Sequence, residues 1–98
     1  MWMTHIPASW SLPLGAIHAP DELHDALARA LGFPEWYGRN WDAFWDASTG
    51  LVAMPQKLRF EDWRVFEVRL PREASLLRNA LMDLARQYPR QAPRVVYP

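Results

Sequence analysis

The sequence predicts a small α/β protein in which a three-stranded parallel sheet packs against about four helices, in the order βααβααβ. Two observations predict helices: apolar residues recur at helical spacing in Pro20–Leu31 and again in Pro71–Gln87. A third predicts the sheet, because the short runs Gln56–Phe60 and Arg94–Tyr97 have strand character and are separated by helical sequence. With 98 residues we expect a single domain over residues 1–98.

Composition excludes several function classes. Eleven basic and eleven acidic residues balance, so the overall charge makes no case for a nucleic-acid or membrane partner. The absence of Cys excludes disulfides and thiolate chemistry and is typical of a reducing cytoplasm. No basic segment precedes the N-terminal apolar residues, which Pro7 and Pro13 interrupt, and no apolar run approaches membrane-spanning length. We therefore expect a cytoplasmic protein without a secretory signal.

The N-terminal third predicts one strand and one helix. A short strand fits either Trp2–Ile6 or Ser9–Leu12. In the helix Pro20–Leu31, Gly32 is the expected stop, and His24 lies beside the apolar stripe. Because His24 has no second ligand at helical spacing, we interpret it as a surface or internally satisfied side chain and assign no metal. The stripe consists of Leu23, Leu27, Ala30 and Leu31.

The aromatic stretch Phe33–Gly50 predicts a turn followed by a short helix. Pro34 and Gly38 mark the turn, because Pro restricts φ and Gly permits a positive φ. Asn40 is a suitable N-cap, and Gly50 stands where a helix commonly ends in a left-handed residue.

Two surfaces of this short helix differ in chemistry. At about 100° per residue, one side should be buried; it carries Trp41, Phe44, Ser48, Leu51 and Val52. A neighbouring arc carries Asp42, Asp46 and Thr49, with Trp45 at the border. Asp46 lies in the middle of the helix, four residues after Asp42, and the repulsion between these like charges lowers helix stability by roughly 0.2–0.5 kcal/mol. That cost weakly indicates a cationic partner, although helix geometry alone favours an ordinary solvated face.

The second half leaves one segment open. Glu61–Arg69 fits either a short helix or the second strand of a hairpin turning at Glu61–Asp62. The following helix, Pro71–Gln87, should bury a stripe on one face, and Arg94–Tyr97 is the expected last strand. The stripe consists of Leu77, Ala80, Leu81 and Leu84, with Leu76 and Tyr88 at its edges.

No pattern predicts an enzyme or a cofactor. Asp42 and Asp46 could be a carboxylate pair, but they share an exposed helix edge without a recognisable cleft. Ser48 and Thr49 have no His in the same segment, and the four glycines are isolated. Because the aromatic residues cluster with acids, which repel phosphate, we expect no direct binding of nucleic acid.

The string PEWYGRNWDAFWDASTG, from Pro34 to Gly50, resembles the signature segment of the barstar family, bacterial intracellular inhibitors of ribonucleases. The resemblance continues more loosely from Ser9 to Tyr97. It favours Ser9–Leu12 as the first strand and a short helix in Glu61–Arg69. It also implies a protein that inserts acids into the phosphate-binding active site of a basic-site ribonuclease or nuclease toxin, in a 1:1 complex, as an antidote or immunity protein.

By this resemblance the partner-binding residues are Trp36, Asn40, Asp42, Trp45, Asp46, Thr49, Gly50 and Asp83. Asp46 is the acid expected to reach deepest. Three positions depart from the family pattern: Asp83 is one methylene shorter, Gln87 replaces an acid, and Leu51 replaces an aromatic residue. The alternatives are a cytoplasmic interaction module that docks a non-nuclease partner through the same patch and, less favoured, an RNA-binding regulator.

Overall fold

The computed structural model describes residues 9–98, which form a three-stranded parallel sheet and four α-helices. The predicted order βααβααβ is confirmed, and a π-helical turn, Ala47–Leu51, follows the second helix. Ser9–Leu12 is confirmed as the first strand, whereas Trp2–Ile6 lies outside the described residues. The elements are β1 (Ser9–Pro13), α1 (Pro20–Leu31), α2 (Trp41–Asp46), β2 (Lys57–Glu61), α3 (Trp63–Arg69), α4 (Pro71–Gln87) and β3 (Arg94–Val96).

The sheet has the order β1–β2–β3 and two chemically different faces. In register, Leu12 lies beside Phe60, and Leu58 lies beside Val95, so these residues share one face. Leu58 and Phe60 are completely buried there. The opposite face carries Lys57, Arg59 and Glu61 of β2. The apolar core therefore lies on one face of the sheet, and the other face is polar.

The helices supply the rest of the core through the predicted stripes. In α1, Leu23 and Leu27 are fully buried, and Gly32 ends the helix at φ 74° with its N–H bonded to the Ala28 carbonyl. In α4, Leu77 and Leu84 are fully buried. Each such side chain contributes about 1.5–3 kcal/mol through removal from water.

The segment that follows β2 is a helix, so the hairpin alternative is wrong. β2 ends at Glu61, Asp62 takes a left-handed conformation at φ 61°, and α3 begins at Trp63. Helical spacing buries Trp63 and Phe66, whereas the hairpin alternative relied on Val65 and Val68 as apolar strand residues. These valines are 46% and 75% exposed. Within residues 9–98, no helix has the length and apolarity needed to cross a membrane.

Candidate functional site

The Pro34–Asn40 loop is closed by its own hydrogen bonds. Asn40 caps α2 as predicted: its Oδ1 accepts from the Ala43 N–H at 2.7 Å, while its Nδ2 donates to the Gly38 carbonyl at 3.1 Å. The positive φ expected at Gly38 occurs instead at Arg39, at 52°. Space is tight at Gly38, because a Cβ there would lie 3.1 Å from Asn40 Nδ2 and 3.4 Å from the Ala43 Cβ and would press on the Asn40 cap.

The helix after this loop changes its winding halfway. Regular α-helix ends at Asp46, and a π-helical turn runs from Ala47 to Leu51, closed by the Val52 N–H on the Ala47 carbonyl at 3.2 Å. Gly50 lies inside this turn and has no positive φ, so its predicted role as a left-handed cap is wrong. Ser48 and Thr49 donate their hydroxyls to carbonyls four residues earlier, at 2.8 and 2.7 Å, contacts that often bend helices.

The predicted buried face of the short helix is only partly correct, and the prediction for Leu51 is wrong. Phe44 and Ser48 are buried as expected, but Trp41 is only partly buried and Leu51 is 49% exposed. A turn closed from residue i to i+5 holds one residue more than an α-turn. Leu51 is therefore rotated away from the side of Phe44 and lies on the side of Asp46.

The three candidate acids have different surroundings. Asp42 and Asp46 are exposed, and neither carboxylate forms an ion pair or hydrogen bond with another residue in the range 9–98. Asp83 on α4 is partly buried and pairs with Arg86. Asp46 is thus free to bind a cation, whereas Asp83 already has one.

Two clefts adjoin the π-helical turn and share Leu51 as a wall. The smaller, about 240 Å³, is called the loop–helix cleft. The larger, about 600 Å³, is lined by residues 49–56 and 90–92, including Thr49 and Gly50, and contains no acid. Asp42 and Asp83 line neither cleft. The loop–helix cleft is lined by Pro34, Trp36, Tyr37, Gly38, Ala43, Asp46, Ala47 and Leu51.

Two groups of aromatic side chains belong to the candidate site. Trp36 is 73% exposed beside Asp46 in the loop–helix cleft. Trp45 is partly buried, and its ring centroid lies 6.2 Å from that of Tyr88, which is 43% exposed. Tyr37 and Tyr88 were not among the predicted site residues. Tyr37 follows Trp36 directly in the signature, which could have indicated it; no sequence signal indicates the placement of Tyr88.

Behind the site, a buried polar network joins three elements. His24 is 2% exposed, so its interpretation as an internally satisfied side chain is confirmed and the surface alternative is wrong. Its Nδ1 lies 2.6 Å from the Tyr37 hydroxyl, and burial lowers the pKa of His24 and raises that of Tyr37. Trp41 Nε1 donates to Glu73 at 3.1 Å, and Arg72 donates to the same carboxylate at 3.0 Å. No group of three His, Asp or Glu residues in the described range could hold a metal ion.

Comparisons with known proteins agree with this architecture. The family model described as barstar (barnase inhibitor) matches residues 9–97. A Bacillus subtilis (strain 168) protein named "Putative ribonuclease inhibitor YrdF" is 56% identical over 36 residues, which cover 37% of this chain and 40% of that protein. The match to the relative is therefore local, whereas the family model spans all three strands and all four helices described above. The chain belongs to the barstar family.

Proposed function

We propose that this chain is an inhibitor that blocks the active site of a bacterial ribonuclease in a 1:1 complex, with Asp46 in place of a substrate phosphate. Ribonucleases bind RNA phosphates through basic side chains, and these would receive the carboxylate. The proposal is supported by membership of the family and by the name of the Bacillus subtilis relative. The inhibitor would act in the cytoplasm, against either the cell's own ribonuclease or a toxin from a competing bacterium.

One structural observation carries the mechanism: Asp46 is exposed, unpaired among residues 9–98, and lines the same cleft as Trp36. A carboxylate transferred from water to a basic, water-poor site forms charge-assisted hydrogen bonds, which are stronger than neutral ones. Because Asp46 has no ion-pair partner among residues 9–98, binding would not first break an ion pair within that part of the chain.

The surrounding side chains would complete the contact. Trp36 and Leu51 offer apolar area on either side of the loop–helix cleft, which would exclude water around the bound cation. Asn40 and Thr49 already use their side chains to hold the loop and the π-helical turn. In this proposal they shape the surface, and Asp42, Trp45, Gly50 and Asp83 make contacts at its border.

Asp46→Ala should weaken inhibition far more than Asp42→Ala. Truncating one member of a desolvated charge pair costs about 2–5 kcal/mol, which is roughly 30-fold or more in Kd. The loss at Asp42, which lines no cleft, should stay within the range of about 0–1 kcal/mol for exposed pairs. Titration of a panel of purified bacterial ribonucleases, starting with barnase, would measure both by residual RNA cleavage.

Two controls make this test specific. Asp46→Asn removes the charge and keeps the shape, so it should lose nearly as much affinity as Asp46→Ala. Glu67→Ala removes an acid from α3, outside both clefts, and should leave the Kd unchanged. Unchanged inhibition by Asp46→Ala would refute the mechanism. Failure of the wild-type chain to bind any ribonuclease would refute the function and favour a non-nuclease partner.

A further inference from the structure

His24 is a buried titratable side chain for which the inhibitor mechanism above has no use. It lies on α1, yet its neighbours belong to the candidate site. Its ring centroid lies 4.6 Å from that of Trp41 and 5.7 Å from that of Tyr37. His24 thus contacts both the Pro34–Asn40 loop and the first residue of α2.

The loop depends on few contacts with the rest of the protein. Trp36 is 73% exposed and cannot hold the loop by its own packing. Arg39 pairs with Asp25 of α1 at 2.9 Å, but their side chains are 51% and 43% exposed, and such surface pairs contribute little. Tyr37 packs on Phe33 at 5.0 Å between centroids and reaches His24 Nδ1 at 2.6 Å. The hydrogen bond between Tyr37 and the buried His24 is therefore screened less by water than the exposed Arg39–Asp25 ion pair.

His24 also supports the start of α2. The Trp41 ring packs on the imidazole, and the Trp41 indole N–H is held by Glu73 of α4. A displacement of His24 would consequently move both sides of the loop–helix cleft. It would move the loop through Tyr37 and α2 through Trp41.

The tautomer and the charge of the imidazole together determine the direction of the hydrogen bond between His24 and Tyr37, and we take neutral His24 to carry its proton on Nε2. Nδ1 of a neutral imidazole can accept the phenol proton, whereas both nitrogens of an imidazolium only donate. After protonation, the Tyr37 hydroxyl would have to donate to the Asn40 carbonyl, 3.5 Å away, which is beyond the usual range of a good hydrogen bond.

Charged groups from three elements face His24. Asp21 and Asp25 on α1 and Glu73 on α4 favour its protonation, and Arg39 in the loop opposes it. Burial has the largest influence and outweighs the three carboxylates, so the pKa of His24 is lowered and the neutral form is favoured.

Resting on the proposed function, we propose that His24 is a positioning residue of the inhibitor surface. In its neutral form it holds Tyr37, and through Tyr37 the Pro34–Asn40 loop, beside Asp46. Protonation of His24 reverses this hydrogen bond, loosens the loop and weakens binding of the ribonuclease.

The first experiment needs no partner. Amide hydrogen exchange of the Pro34–Asn40 loop is measured between pH 5 and 7.5, corrected for the intrinsic pH dependence of exchange, while NMR follows the imidazole titration. Protection of the loop should fall as His24 gains its proton, with the Leu77–Leu84 segment of α4 as an internal control. Loop protection that stays constant through the titration would overturn the proposal.

Two variants separate positioning from a purely structural role. His24→Asn keeps a hydrogen-bonding group near Nδ1 but cannot titrate, so the pH dependence of loop protection should vanish. Tyr37→Phe keeps the titrating imidazole but removes its link to the loop, so the dependence should vanish there also. If Tyr37→Phe retains the wild-type pH dependence, His24 does not act through Tyr37. This variant also decides the question if His24→Asn does not fold.

The second experiment measures dissociation of the complex with barnase or another inhibited ribonuclease. The ratio of the wild-type rate to the His24→Asn rate cancels titrations within the nuclease. It should rise as pH falls, by at most about tenfold per pH unit for one coupled proton. A constant ratio with intact binding would overturn only the role of His24. If no ribonuclease binds, the proposed function fails, and the exchange experiment still decides whether His24 holds the loop.

Discussion

At the scale of single residues, His24 and Trp41 show how buried polar groups are satisfied around the site. Tyr37 bonds the imidazole, and Glu73 accepts the indole proton of Trp41. Glu73 is itself buried, and its charge is balanced by Arg72. An unpaired polar group at these depths would cost about 1–3 kcal/mol. The network therefore limits which side chains these positions tolerate, independently of any partner.

The lowered pKa of His24 predicts a pH-dependent stability. Around and below pH 6.5, the ordinary pKa of His, the unfolded chain binds the proton more readily than the folded chain. The contribution of His24 to stability is therefore complete above about pH 6.5 and is lost as pH falls through the lowered folded-state value. Urea unfolding of wild type and His24→Asn between pH 5 and 8 should give a difference that shrinks toward acid. A difference that is independent of pH would contradict this.

At the scale of elements, α2 and the π-helical turn together supply buried core residues, including Phe44, and several exposed side chains. α2 begins at an Asn cap, buries Phe44, and presents Asp42 and Asp46 to solvent. The π-helical turn then rotates Leu51 outward, so that it becomes a wall of two clefts. A continued α-helix would have placed Leu51 with Phe44. π-turns within helices often occur at functional sites, which agrees with the position of this one.

This difference in burial predicts different losses of stability for three truncations to alanine. Phe44→Ala should reduce the free energy of unfolding by about 3–5 kcal/mol, because it leaves a cavity. Leu51→Ala should change it by no more than about 0.5 kcal/mol, as is usual for surface positions. Trp41→Ala should also destabilise by several kcal/mol, roughly 3–5, since it removes packing against His24 and the bond to Glu73. Chemical denaturation measures all three, and a loss at Leu51 equal to that at Phe44 would show that Leu51 is buried.

At the scale of the whole molecule, a net charge of zero conceals an uneven distribution. The outer face of the sheet carries Lys57 directly beside Arg94, like charges that repel in adjacent strands. The loop–helix cleft is lined by Asp46, which is exposed, and Asp42 is exposed on the same short helix. We therefore expect the exposed acids of α2 to contribute to the electrostatic attraction of a basic enzyme.

Association with a ribonuclease should accordingly depend on salt. Screening becomes strong as the Debye length falls from about 10 Å at 0.1 M salt to about 3 Å at 1 M. The association rate constant, measured by stopped flow, should fall roughly tenfold or more over this range for an electrostatically steered pair. The double variant Asp42→Asn, Asp46→Asn should have a lower association rate constant at 0.1 M salt, and this rate constant should depend less on salt. An association rate that salt leaves unchanged would show that the acids do not guide the encounter.

The sequence by itself determined the features that depend on near neighbours. The 3.6-residue periodicity defined α1 and α4, Gly32 and Asn40 marked helix ends, and the alternation around Leu58 indicated β2. The sequence also indicated the composition of the candidate surface, because its acid and most of its aromatic residues are close together in the chain. Between the alternatives at residues 61–69, however, the local pattern was ambiguous, and burial of Trp63 and Phe66 decided.

Tertiary structure decided what depends on residues far apart in the chain. His24 meets Tyr37 across 13 residues, and Trp41 meets Glu73 across 32, contacts that no local period encodes. The local sequence pattern did not predict the π-helical turn after Asp46 either. The additional residue in this turn places the later side chains, including Leu51, on another face of the helix. Packing of α2 against α1 and α4 selects these arrangements, because only the assembled core determines which polar atoms lose water and must find partners.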